Sequence, residues 1–277
     1  MNVFTTRLRR RLGAGAATAA LLLAVTGCGG GDTDAGKVKG VSLIKSDQLT
    51  VCTHLPYKPF QFKQGGEVVG FDVDLLDLLA KDLGVDMEVV DIEWTQITSG
   101  AAFAAKKCDI GMGAMTITDE RAEAIGITDP YMDATQVLMV KKGAPYKSLE
   151  DLKGKKIGVQ TDTTGEEYAK NQEEGIGYSI VPFDDLALQT NAVKAGKVDA
   201  AINDNGVLYD FVNANPDVAV VAEFDTGEQY GFPAKKDDPQ GGDKLIKRFN
   251  KLLAQAQQDG TYNQIYKTWF GVEPKQP

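Results

Sequence analysis

Along this chain the spacing of apolar residues switches repeatedly between the runs of a buried strand and the three-and-four spacing of a one-sided helix. Residues 49–53, Leu-Thr-Val-Cys-Thr, predict a strand, and 72–83 predict a helix with Leu76, Leu79, Ala80 and Leu83 on one face and Gly84 at its end. A strand over 87–92 and a helix over 99–107 follow. From Asp109 an apolar, glycine-spaced run leads to Thr116 and Thr118, where a helix begins with Asp119 and Glu120 in its first turn, the end at which the macrodipole favours acids. Further strands are expected over 136–140 and 152–159, the second leading through the polar turn Thr161-Asp-Thr-Thr-Gly165 into a helix from Glu166. Two helices close the pattern: 244–257, with Leu245, Ile246, Phe249, Leu252, Leu253 and Ala256 on one side, and 262–270, whose Tyr262, Tyr266, Trp269 and Phe270 are expected in the core. Such alternation predicts an α/β architecture with largely parallel sheet. Ala195-Gly-Lys-Val-Asp-Ala-Ala201 echoes Ala105-Lys-Lys-Cys-Asp-Ile-Gly111, each a helix end followed by an Asp that opens a buried strand. The echo points to two similarly built lobes, and a ligand cleft is expected between them.

The amino terminus carries a different pattern. Arg7, Arg9, Arg10 and Arg11 precede a small, apolar run over 12–25, and Val25-Thr-Gly-Cys28 follows. Residues 1–27 therefore read as a secretory signal peptide, too short for a final membrane anchor. Cys28 resembles the lipobox cysteine of bacterial lipoproteins, which implies cleavage before it, a lipid on it, a flexible tether over 28–44, and a location on the outer face of the cell membrane. Simple secretion with cleavage elsewhere is the alternative. Losing 1–27 removes four arginines and no acid, so the net charge of −9 becomes −13, and phosphate backbones would repel such a chain; nucleic acid is excluded as a partner. The 277 residues, 43% hydrophobic, are enough for a core in each of two lobes. With Cys28 assigned to lipid, Cys52 and Cys108 are left as an even pair outside the cytoplasm, so a disulfide is expected, with two buried thiols as the alternative.

Two charged residues suggest what the cleft holds. Arg121 stands in the first turn after Thr116 and Thr118, where a guanidinium fork, free helix N–H groups and hydroxyls together suit a carboxylate; an ordinary capped helix with Arg121 paired to an acid is equally open. Asp204 ends the buried run Val198-Asp-Ala-Ala-Ile-Asn-Asp204, placed to meet a cation beyond the carboxyl end of a strand or to cap the helix starting at Asn205. One positive and one negative anchor on opposite lobes complement a zwitterion.

Thr53-His-Leu-Pro-Tyr-Lys-Pro-Phe60, Gly70-Phe-Asp-Val-Asp-Leu75, Thr116-Ile-Thr-Asp-Glu-Arg121, Asp129-Pro-Tyr131, Asp199-Ala-Ala-Ile-Asn-Asp204, Tyr230-Gly231 and Asp259-Gly-Thr-Tyr262 resemble, in order, the periplasmic solute-binding proteins for polar amino acids that serve ABC importers. The resemblance covers nearly the whole mature chain and implies a two-lobed type II periplasmic-binding-protein fold, with lobe 1 over 45–141 plus 228–277, lobe 2 over 142–227, and hinge strands near 139–141 and 227–230. It implies that Arg121, Thr116 and the Thr163-Thr164-Gly165 turn hold the ligand α-carboxylate, and that Asp204, with Thr116 and the backbone near Ala114, takes the α-ammonium. Tyr57 matches an aromatic beside the ligand side chain, and His54, Trp94, Gln96, Gln160 and Asn203 are candidates for the rest of that pocket. His54, the only histidine, stands where several members carry an acid that reads the ligand side chain. A neutral or acidic L-amino acid, glutamine or glutamate, is therefore expected over a basic one, although His54 is equally open to a structural role. A monomer delivering its ligand to an ABC permease is expected, with no metal, cofactor or catalysis. A dehydratase of the cyclohexadienyl type on the same fold, or a ligand-presenting sensor, are the alternatives.

Overall fold

The computed structural model describes residues 37–274, and the expected signal peptide over 1–27 and the expected lipidation at Cys28 lie outside the described residues. Two five-stranded mixed sheets, each flanked by helices, form the two lobes. In the first sheet the order is Asp86–Asp91, Gln48–Thr53, Ile110–Gly111, Pro233–Ala234, Gly126–Ile127, with the first three strands parallel. The second repeats the plan: Ser179–Phe183, Lys156–Gln160 and Ala200–Asp204 run parallel, and Met132–Lys141 and Val218–Tyr230 add an antiparallel edge.

The echoed sequences do the same work in each lobe. Asp109 accepts the N–H of Thr50 at 2.9 Å, and Asp199 accepts that of Lys156 at 2.9 Å. Each aspartate ties the entry of one parallel strand to the entry of its neighbour, satisfying an edge amide that a buried sheet end would otherwise leave unpaired. Helix Gly242–Asp259 lays Leu245, Phe249, Leu253 and Ala256 into the core, each large side chain worth about 1.5–3 kcal/mol on burial. Tyr262, Tyr266 and Phe270 pack around Phe71 with ring centroids 5.2–5.8 Å apart, as core residues. Cys52 and Cys108 are joined as a disulfide, Cα atoms 5.6 Å apart, inside a cluster with Trp94, Ile97, Phe103 and Met115.

Three expectations need correction. The pattern over 99–107 predicts one helix, but Gly100 at φ 76° separates Trp94–Thr98 from Ala101–Ala104. The left-handed backbone there suits glycine and stops the first helix. A tether extending to residue 44 does not fit either, because Lys37–Val38 and Val41–Ser42 form a hairpin, Val41 and Leu43 are buried, and Ile44 N–H donates to Asp109. Apolar side chains at 41 and 43 make ordering favourable there. Finally, residues 139–141 lie inside the second sheet, since its strand already begins at Met132; the chain crosses between sheets near 128–134, beside the returning segment 225–232. The returning strand slips register between Phe224 and Glu228, with Gly227 at φ 65°.

Candidate functional site

One wall grows from Asp72, in the first turn of helix Phe71–Leu83. Its carboxylate accepts the N–H groups of Gly113 and Ala114 at 3.1 and 2.8 Å and the Tyr131 hydroxyl at 2.8 Å. Burial pushes this carboxyl up to about 6, and the donors pull it back. With both amides turned inward, and Ala114 at φ 47°, residues 113–116 are fixed where they pass the cleft. A side chain at Gly113 would bring its Cβ within 2.6 Å of the Trp94 ring, so the indole rests on bare backbone. Thr118 then caps the short helix Asp119–Ala124, its hydroxyl accepting Arg121 N–H at 3.2 Å. This starts the helix so that Arg121 reaches back over Trp94, with the guanidinium carbon 5.6 Å from the ring. The fork donates to Thr116 O and, across the cleft, to Asp162 O, both at 2.9 Å. Burial lowers the Arg121 pKa, opposed by Asp162, Asp204 and Glu228.

The facing wall comes from the second sheet. Asp204 occupies the N-cap position of helix Asn205–Ala214, yet its side chain makes no capping bond. It accepts instead from Tyr230 at 2.6 Å, Gln136 at 2.7 Å and Tyr57 at 3.1 Å. Burial pushes its carboxyl up to about 6, the Glu228 charge adds to that, and the three donors oppose it. Tyr57, from the first lobe, also lies 2.9 Å from Asn203 Oδ1. A hydroxyl has a single proton, so Tyr57 donates to one of these acceptors at a time. Thr163 caps helix Thr164–Ile176, accepting Glu166 N–H and donating its proton to Gln160 O at 2.8 Å. The amides of Thr164 and Gly165 lie in the first turn, where a helix leaves N–H groups without intrahelical partners.

Between the walls lies a cleft of about 370 Å³, its open mouth included. The walls stand closed on one another, since Trp94 Nε1 and the Arg121 fork of the first lobe both donate to Asp162 O of the second. His54, Tyr57, Trp94, Ala114, Thr116, Arg121, Gln160, Thr163, Thr164 and Asp204 all line it. Three other expected residues do not. Gln96 points away and binds Lys107 at 2.7 Å, because residue 94 and not 96 is on the inner face of that turn. Asn203 stands one layer back, held by Gln189 at 2.8 Å, since successive residues of a strand face opposite sides. Gly165 borders the wall only through its backbone, against Gln136. Gln61 and Gly113 line the cleft and were not expected. Nothing in their spacing marked them, although both sit inside or beside the quoted motifs.

Among the described residues at the site, His54 Nε2, Gln61 Oε1 and Gln136 Oε1 are buried without a partner, and of these His54 and Gln61 line the cleft. His54 Nδ1 lies 2.9 Å from Ile92 O, and a carbonyl only accepts, so Nδ1 carries the proton. In the neutral ring Nε2 is then an acceptor. Among the described residues no group of three or more metal-ligating side chains occurs, and no helix is long and apolar enough to cross a membrane.

The sequence model of the bacterial extracellular solute-binding proteins, family 3, matches residues 49–272. The chain belongs to this family. Among family 3 relatives it is 30% identical over 259 residues to the arginine-binding extracellular protein ArtP of Bacillus subtilis (strain 168), covering 92% of this chain and 96% of that one. It is 32% identical over 265 residues to the glutamine-binding protein GlnH of the same organism, covering 92% and 94%. Among solved structures, an ancestral arginine-binding protein bound to arginine superposes with TM-score 0.75 at 39% identity, covering 81% of this chain and 99% of that one. Family membership makes this an extracellular-type solute-binding protein, and the named relatives are binding proteins.

Proposed function

We propose that the chain is the substrate-capturing lipoprotein of an ABC importer, anchored through Cys28 at the outer face of the membrane, closing as a monomer on one L-amino acid and presenting it to a permease. The observation that carries this reading is the pair of opposite charges on facing walls of one cleft, the partly buried Arg121 and the buried Asp204. Arg121 takes the α-carboxylate with the first-turn amides of Thr164 and Gly165, and Asp204 takes the α-ammonium. Each lobe supplies one anchor, so only the closed form makes both contacts and the ligand shifts the hinge equilibrium by that difference. The dehydratase alternative would need an acid or base turned on a reacting centre; here Asp204 is read as an ammonium anchor and His54 as a side-chain acceptor.

The side-chain pocket favours a donor. His54 Nε2 and Gln61 Oε1 both want an N–H, which the terminal amide of glutamine supplies and the carboxylate of glutamate does not. Leaving one such acceptor unpaired costs about 1–3 kcal/mol, roughly fivefold to 150-fold in affinity. Glutamine is therefore the first candidate, and the glutamate half of the expectation receives no support from this wall. Arginine is the second reading, since its guanidinium meets the same acceptors; the two relatives named for arginine and glutamine share side chains ending in N–H donors. The test is a calorimetric and thermal-shift panel of the common L-amino acids on the chain lacking residues 1–28. A neutral amide side chain should bind most tightly, glutamate at least tenfold more weakly. No binding by any amino acid would sink the receptor reading, and glutamate as the best ligand would sink the side-chain reading alone.

A further inference from the structure

Glu228 stands where the second chain crossing re-enters the first lobe, immediately after the register slip of its strand. It is half-buried and was not singled out by any motif. One carboxylate oxygen, Oε2, accepts the hydroxyl of Thr116 at 2.9 Å and that of Thr164 at 2.9 Å. Thr116 follows a strand of the first sheet, and Thr164 opens the helix that follows a strand of the second. Their two hydroxyl oxygens are 3.3 Å apart. Gln136 Nε2 donates to the same carboxylate at 3.1–3.2 Å and to Asp204 at 2.7 Å, and Thr226 donates to Oε1 at 2.9 Å.

We propose that Glu228 is a positioning residue that latches the closed form and aims the hydroxyls of the binding cleft. Its two threonine donors belong to opposite lobes, so the carboxylate holds both only while the lobes are together. Parting the lobes removes at least one charge-assisted hydrogen bond from Glu228, which weights the hinge toward closure. The same contacts fix proton direction. A threonine hydroxyl has one proton, and Thr116 and Thr164 give theirs to Glu228, so toward the cleft they present lone pairs. They are thereby acceptors for an ammonium rather than donors to a carboxylate, which leaves the carboxylate to Arg121 and the backbone amides. Through Gln136, Glu228 also steadies Asp204, the other end of the site. This inference rests on the receptor reading for its ligand, but not for its latch.

The experiment is single-molecule energy transfer between dyes at exposed positions 67 and 174, one on each lobe, in the chain lacking residues 1–28, with no amino acid added. Glu228→Ala should shorten the closed-state dwell about tenfold, and Glu228→Gln, which keeps the acceptor oxygen without its charge, about threefold. Thr164→Val alone should shorten it, and added to Glu228→Ala should change nothing more, because the contact is already gone. A dwell within twofold of the parent in Glu228→Ala, in protein whose circular dichroism shows it folded, would overturn the latch. So would full additivity of the two substitutions. Titration of L-glutamine and L-arginine in the same instrument separates the readings: a chain that binds neither, yet shows the dwell changes, keeps the latch and loses the receptor assignment.

Discussion

Binding should weaken as the solution is acidified, and Asp204 sets by how much. Burial raises its carboxyl to about 6, with Glu228 adding to the shift and Tyr230, Gln136 and Tyr57 opposing it. An ammonium seated on Asp204 favours the ionised form, so the bound state holds this proton less tightly than the free one. Binding below that pKa must therefore release a proton, and affinity falls as pH falls through it. From the ionised fractions, about nine-tenths at pH 7 and one-tenth at pH 5, the dissociation constant should rise about tenfold, or about 1.4 kcal/mol. The ligand remains a zwitterion throughout, so it adds no proton of its own. Isothermal titration at both pH values, in two buffers of different ionisation enthalpy, reads the affinity and the proton count together. Net proton release on binding is expected at pH 5 and should fall toward zero at pH 7. The Asp204→Asn variant should lose this slope, which assigns it to that carboxyl. An unchanged dissociation constant between pH 7 and 5, with no proton released, would refute the assignment of Asp204 as the ammonium anchor.

Other outcomes follow from the same geometry. Replacing Cys52 and Cys108 by alanine opens a loop of 56 residues and should lower unfolding free energy by about 4 kcal/mol in denaturant titration; a loss below about 1 kcal/mol would show that the bridge adds nothing to the core. Trp94→Phe removes the indole bond to Asp162 O at 2.9 Å, a contact between lobes, and should speed ligand release severalfold in stopped flow while the melting temperature moves little. Gly113→Ala forces a Cβ within 2.6 Å of the Trp94 ring and should weaken binding at least tenfold; affinity equal to the parent would mean that the indole is not the floor of the site. Cys28→Ala should abolish membrane association in cells, and a variant that still fractionates with membranes would count against the lipid anchor.

Some of this molecule is written locally and some is not. Helices whose apolar stripe faces the core, such as Phe71–Leu83 and Gly242–Asp259, stand within two residues of their expected ends, because periodicity and glycine stops are local signals. The paired aspartates Asp109 and Asp199 were also legible, since a charged residue opening a buried strand needs a reason, and the reason is an amide of the neighbouring strand, Thr50 or Lys156. What local pattern does not carry is which sheet a strand joins. Met132–Lys141 is an apolar run that either sheet could take, and only its pairing with Ala200–Asp204 and Val218–Tyr230 assigns it to the second, so the first crossing was expected about ten residues too late. In the site, Arg121 and Asp204 were visible as charges placed at element ends. Glu228 was not, because its meaning comes from Thr116 and Thr164, residues 112 and 64 positions away in the chain. Gln61 shows the same limit, being notable only as a buried acceptor without a donor.

The central claim is that two opposite charges, one from each lobe, hold the two ends of an amino acid. It is tested most directly by titrating L-glutamine, or L-arginine should the panel rank it first, into Arg121→Ala and Asp204→Asn, both checked for folding by circular dichroism. Losing one partner of a desolvated charge pair costs about 2–5 kcal/mol, so each variant should bind at least thirtyfold more weakly than the parent. Binding within threefold of the parent by either variant would contradict the claim.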